Sequence, residues 1–75
     1  MDGADGKSGI YGTNGRDGLM GSVTQSGGNG GRGGWGLIRG GNGGNGGDGH
    51  QPGVGGIGGF GYLRSGNSGD NGKGL

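Results

Sequence analysis

Bare and substituted positions alternate along this chain with a period of three, not the two of a strand or the 3.6 of an α-helix. In GADGKSGIYGTNGRDGLMGSV, residues 3–23, Gly stands at 3, 6, 9, 12, 15, 18 and 21, with two variable residues between each pair. The pattern doubles in GGNGGRGGWG (27–36), GGNGGNGGDG (40–49) and GVGGIGGFG (53–61), and becomes single again in GNSGDNGKG (66–74). The larger side chains gather in the interruptions: Val23-Thr24-Gln25-Ser26, Leu37-Ile38-Arg39, His50-Gln51-Pro52 and Tyr62-Leu63-Arg64-Ser65. The phase of the Gly column holds inside each block and shifts at several of the breaks.

A three-residue period fits polyproline II, in which positions i, i+3 and i+6 line one edge of a left-handed rod. One Gly column gives a rod one bare edge, and two columns give it two. A nine- or ten-residue block spans about 30 Å at ~3.1 Å per residue. The first block is about twice as long as the others, which predicts that it folds back near Gly12-Thr13-Asn14-Gly15, where Asn-Gly is a good turn pair. Six rods follow, at roughly 3–12, 15–22, 27–36, 40–49, 53–61 and 66–74.

The expected fold class is therefore neither α nor β. It is one domain over 1–75, a two-layer bundle of about six short antiparallel polyproline II (polyglycine II) helices with little conventional core. The contact edges are Gly3, Gly6, Gly9, Gly12, Gly15, Gly18, Gly21, Gly30, Gly33, Gly43, Gly46, Gly56, Gly59 and Gly69. Bare edges let rods approach closely enough for lateral N–H···O=C bonds and Cα–H···O contacts, since polyproline II makes no internal hydrogen bonds. In a three-by-two stack only two rods are central, yet three blocks carry two Gly columns.

Composition narrows the picture. Of 75 residues 31 are Gly, one is Pro, none is Cys, and only 21% are hydrophobic. That is too little apolar side chain to offset roughly 1–2 kcal/mol of backbone entropy per residue, so the backbone itself has to supply the packing. Collagen keeps the same period but requires uninterrupted triplets and about 15–20% Pro or hydroxyproline. A disordered Gly-rich linker has no reason to hold a period.

A net charge of +1 gives no strong pull toward nucleic acid or membrane surfaces. Two Arg-Gly-Gly triplets, at Arg32 and Arg39, flank Trp35 and are a thin case for single-strand binding. No apolar run approaches the ~20 residues of a membrane span. The start, MDGADGKSG, lacks the basic and apolar regions of a signal peptide, and a soluble chain is expected.

Candidate chemistry is sparse. Gly53, Gly55 and Gly58 match G-x-G-x-x-G, which any doubled block produces, and no β-α-β pattern surrounds them. GGNGGD (43–48) begins like a calcium-binding β-helix repeat, but His50 stands where an aliphatic residue belongs. Asp2 and Asp5 lack a Glu to close a calcium loop, and His50 is the single His of a chain without Cys, so no metal is expected. The serines have one possible imidazole partner and no pocket to tune it. The expectation is no enzyme, no catalytic or metal site, and no cofactor.

Val54, Ile57 and Phe60 recur every third residue and line one edge of a single rod. They are a candidate surface-binding strip, suited to self-association if exposed.

GADG at 3–6, the unbroken Gly register to 21, GSV at 21–23, GGNGGNG at 40–46 and the six-block order together resemble the snow flea (springtail) antifreeze proteins. That resemblance implies antiparallel polyproline II helices in two layers, one flat face that binds ice, and an extracellular setting. Under it, the Val54 strip is a candidate ice-facing column. The chain departs from the family in lacking its disulfides and most of its turn prolines, which removes about 2–4 kcal/mol per bridge. It also places Lys7, Ile10, Tyr11, Leu19, Met20, Ile57 and Phe60 where the family's ice-facing columns carry small residues. Stripped Cys and Pro with the block order retained point to an engineered scaffold, with a working ice binder as the alternative. Phage tail-fibre adhesins also stack polyglycine II rods. On that further alternative Val23-Thr24-Gln25, Leu37-Ile38-Arg39, His50-Gln51 and Tyr62-Leu63-Arg64 are recognition loops.

Overall fold

The computed structural model describes residues 2–74. Among these there is no helix, and regular strand is confined to β1 (Gly9–Tyr11) and β2 (Gly36–Arg39), which pair in parallel. The rest is extended chain whose backbone hydrogen bonds recur at every third residue. The segments carrying these ladders are referred to as rods 1 to 6, covering 2–9, 12–21, 27–36, 40–49, 53–61 and 66–73.

The ladders define two layers. Rods 1, 3 and 5 run parallel: Gly6 N–H donates to Arg32 O at 2.6 Å, and Gly33 N–H to Ile57 O at 2.8 Å. Rods 2, 4 and 6 form the second parallel layer, with Gly15 N–H on Asn42 O and Gly43 N–H on Asn67 O, both at 2.8 Å. Between layers the direction reverses. Gly31 N–H meets Arg16 O, Gly44 meets Gly31, Gly56 meets Gly44 and Gly69 meets Gly56, each at 2.8 Å. Sequence neighbours are thus antiparallel, whereas neighbours within a layer are parallel. The Cα trace is a slab of 41 × 14 × 8 Å.

The core of this slab is backbone. No described side chain is buried, and every buried residue is a glycine, among them Gly31, Gly41, Gly44, Gly47 and Gly56. No described residue has a positive φ. Glycine therefore serves through its missing Cβ, not through left-handed backbone freedom.

The directions of those missing Cβ atoms explain why three blocks are doubled. One column of each rod faces the next rod in sequence. A Cβ at Gly3 would collide with Arg16 O of rod 2, at Gly15 with Gly31 O of rod 3, at Gly30 with Gly44 O of rod 4, at Gly43 with Gly56 O of rod 5, and at Gly58 with Gly66 O of rod 6. A second column faces the rod two places earlier: Gly31 against Ala4 O, Gly44 against Arg16 O, Gly56 against Gly31 O and Gly69 against Gly44 O. Rods 1 and 2 have no rod two places earlier, and rod 6 has no successor. These need one column. Rods 3, 4 and 5 need two, because only one partner of each contact has to be bare. Counting neighbours, as in a simple stack, misses this directionality.

The first reversal lies over Ser8–Gly12, not at Thr13-Asn14 as the Asn-Gly pair predicts. Thr13 N–H donates to Lys7 O at 3.0 Å, and Thr13 Oγ1 accepts from Lys7 N–H at 2.6 Å, so Thr13 already belongs to the returning rod. Asn14 holds a ladder position, its Oδ1 accepting Asn42 N–H at 2.9 Å.

Because odd rods are parallel, their corners arrive side by side at one end. There β1 pairs with β2, and Gly36 and Arg39 bridge Gly61 and Arg64 in turn. The loops at 22–26 and 49–52 meet at the opposite end, where His50 N–H reaches Ser22 O at 2.7 Å and Gln25 O at 2.9 Å.

Candidate functional site

With glycine inside, the described variable residues face outward, and the ladder register sorts them into two broad faces, two edges and two ends. On the odd-rod face the rows are Asp2, Asn29, Val54, then Asp5, Arg32, Ile57, then Ser8, Trp35, Phe60. Asp2 and Asp5 each accept the N–H of the residue beside them on rod 3, Asn29 and Arg32, at 2.9 Å, and Asn29 Oδ1 accepts Val54 N–H at 2.9 Å. The sequence strip Val54, Ile57, Phe60 forms the rod 5 column of this face and is exposed, at 59%, 61% and 56%. Trp35 stacks on Phe60 with ring centroids 5.6 Å apart at 51°, and the two rings make this face uneven.

The even-rod face is more regular. Its rows are Asn14, Asn42, Asn67, then Asp17, Asn45, Asp70, then Met20, Asp48, Lys73. Oδ1 of Asn14, Asp17, Asn42, Asn45 and Asp48 accepts the outward N–H of the neighbouring rod at 2.7–3.0 Å. An Asx side chain is long enough to reach the next backbone N–H and short enough to lie flat on the rods. These ladder residues were not singled out from sequence. Their signal is the recurrence of Asn or Asp in the third column, 25–28 residues apart.

The edges carry the substituted columns. Ser68 Oγ and Asn71 Oδ1 of rod 6 accept the N–H groups of Gly58 and Gly55, at 3.3 and 3.0 Å, which would otherwise point at a seventh rod. At the other edge Lys7 stands beside Thr13 and Ala4 beside Arg16, the N–H of Thr13 and Arg16 donating to Lys7 O and Ala4 O. Lys7 and Leu19 thus lie on an edge and Ile10 and Tyr11 in the first corner, while Met20, Ile57 and Phe60 lie on the faces. Both open sides are blunted by side chains, as edge strands of sheets are.

The remaining contact glycines follow the same scheme. Gly6 faces rod 2, Gly12 and Gly18 face rod 3, Gly33 faces rod 4, Gly46 faces rod 5, Gly59 faces rod 3 and Gly21 faces the corner at Gln25. Gly9 differs, since a Cβ there meets only Tyr11 O at 3.6 Å.

Of the four proposed loops, Leu37-Ile38-Arg39 and Tyr62-Leu63-Arg64 stand together at the stacked-corner end, and the other two stand at the opposite end. The stacked-corner end carries an apolar hollow of about 320 Å³ between Ser8, Trp35, Leu37, Phe60 and Tyr62. Among the described residues no group of three His, Cys, Asp or Glu converges in metal-ligating fashion.

No protein-family model and no curated protein matches the sequence. Among solved structures the chain is similar to the nine polyproline type II helical bundle springtail antifreeze protein from Granisotoma rainieri, on which crystal waters match the ice lattice. The TM-score is 0.53 at 28% identity, over 100% of this chain and 94% of that one. In fold the chain resembles the springtail antifreeze proteins, a polyproline II bundle.

Proposed function

We propose that this chain is a non-catalytic structural scaffold, a bundle of six polyproline II rods that packs through glycine and displays all its other residues. The observation that carries the reading is that every buried described residue is a glycine. A catalytic group needs partial burial to shift its pKa and exclude water, and among the described residues Ser22 and Asp48 alone carry side chains that are even half-buried. An engineered origin accounts for a Cys-free chain that keeps the block order. Circular dichroism combined with amide exchange tests the scaffold. A polyproline-like spectrum, a cooperative melt and slow exchange at Gly31, Gly44 and Gly56 are expected. Fast exchange throughout overturns the reading.

Ice binding is the second reading, favoured by the likeness to the Granisotoma rainieri bundle. Its surface requirement is a flat array of short side chains. The Asx rows of the even-rod face lie flat under backbone N–H groups, but Met20 and Lys73 stand up from its last row and Asp17, Asp48 and Asp70 keep their own hydration. The odd-rod face carries Arg32, Trp35 and Phe60. Scaffolding therefore ranks first. Thermal hysteresis or ice shaping by the folded chain reverses that order.

A further inference from the structure

At the stacked-corner end of the even-rod face lie two adjoining hollows, each of about 390 Å³. One is lined by Arg39, Asn42, Arg64, Ser65 and Asn67. The other is lined by Tyr11, Asn14, Arg39 and Asn42. Arg39 and Arg64 are register partners across the layer, with Gly40 N–H on Arg64 O at 2.8 Å. Both residues line the first hollow, and both side chains are exposed.

The row behind them supplies donors. Asn14 Oδ1 is taken by Asn42 N–H at 2.9 Å, and Asn42 Oδ1 by Asn67 N–H at 3.0 Å. A backbone N–H can only donate, so these two amides are oriented unambiguously, and the NH₂ of each is left as a donor. Ser65 adds a hydroxyl beside Arg64. The nearest acidic row, Asp17 and Asp70, lies one three-residue step farther along the rods, about 9 Å away at ~3.1 Å per residue. The hollows are thus rimmed by donors and positive charge. A planar guanidinium fork pairs two N–H groups with two oxygens of a tetrahedral oxyanion.

We infer that Arg39 and Arg64, backed by the amides of Asn14 and Asn42, form a binding site for a sulfate or phosphate group, free or carried as an ester on a sugar. The site rests on the bundle fold and is independent of whether the chain binds ice.

Titration of the isotope-labelled full chain with sodium sulfate and with glucose 6-sulfate, at ionic strength fixed with sodium chloride, tests it by NMR. Saturable shifts confined to the side-chain N–H groups of Arg39, Arg64, Asn14 and Asn42 are expected, and the tighter probe tells the free anion from the sugar-borne one. Arg39→Gln and Arg64→Gln each weaken binding by roughly tenfold or more, the range for a charged hydrogen bond, whereas Arg32→Gln on the opposite face leaves it unchanged. Asn42→Asp keeps the acceptor for Asn67 N–H and abolishes binding by charge. Amide dispersion reports the fold separately in every sample, so an unfolded chain is distinguished from a folded one that fails to bind. Shifts that grow linearly and spread over Lys7, Arg16 and Arg32, or that survive Arg39→Gln, overturn the site.

Discussion

Substituting one methyl group at two glycines separates packing by backbone from every other account of this chain. Gly44 lies in rod 4, donating to Gly31 O and accepting from Gly56 N–H, both at 2.8 Å. A Cβ at Gly44 would fall on Arg16 O and Arg16 C, well inside the 3.0 Å that real Cβ contacts do not cross. Both are backbone atoms of a hydrogen-bonded rod, so no side chain can swing away.

Rods 2 and 4 must part by about 1 Å, and a bond of normal length does not survive that stretch. The bonds at risk are Gly15 N–H to Asn42 O, Gly18 N–H to Asn45 O and the two made by Gly44, all at 2.8 Å. Losing two to four bonds at about 1–1.5 kcal/mol each costs roughly 2–6 kcal/mol. A chain of this length has roughly 4–11 kcal/mol in total. Gly44→Ala is therefore expected to abolish the cooperative melt or lower Tm by roughly 10 °C or more.

Gly9 is the control. Its Cβ would meet only Tyr11 O at 3.6 Å, and its N–H bond to Trp35 O at 3.0 Å survives the change. Its φ is not positive. Gly9→Ala should stabilise the fold by about 0.4–1 kcal/mol by restricting the unfolded chain, raising Tm by a few degrees. Thermal melts by circular dichroism, with amide exchange as a second readout, compare the two. Parallel responses, or a Gly44→Ala melt within about 1 kcal/mol of the parent, would refute packing through bare backbone edges.

Other consequences concern the surface. Ser65→Gly, Ser68→Gly and Asn71→Gly together give rod 6 a second bare column and uncover the N–H groups of Gly55 and Gly58. Light scattering should then show concentration-dependent dimers meeting through their rod 6 edges, and an unchanged monomer would contradict the edge-closing role. Val54→Thr, Ile57→Thr and Phe60→Thr remove apolar groups that are 56–61% exposed, so the melt should stay within about 1 kcal/mol. A larger loss would mean the strip is a core element. Adding Arg32→Thr and Trp35→Thr flattens the odd-rod face. If flatness limits ice recognition, thermal hysteresis rises above the parent's, and no rise in a folded variant counts against that explanation.

Composition and the three-residue period already dictate that the chain cannot build a side-chain core and that its extended segments must meet along glycine edges. Both follow locally: a three-residue period places every third residue on one edge, and too few apolar residues exist to pack otherwise. The rank of single and doubled blocks was also visible, but its cause was not. That a rod needs a bare column toward its successor and another toward the rod two places earlier emerges from the stacking of the rods. The second column depends on partners 25–28 residues away, which no local pattern encodes. The same distance hid the Asx ladders, whose members look like ordinary polar spacers until the rods lie side by side. Tertiary register also moved the first reversal to Ser8–Gly12. Asn14-Gly15 is a good local turn, but Thr13 and Asn14 gain more by pairing with Lys7 and Asn42 in the ladders, and the cooperative register outweighs the local preference.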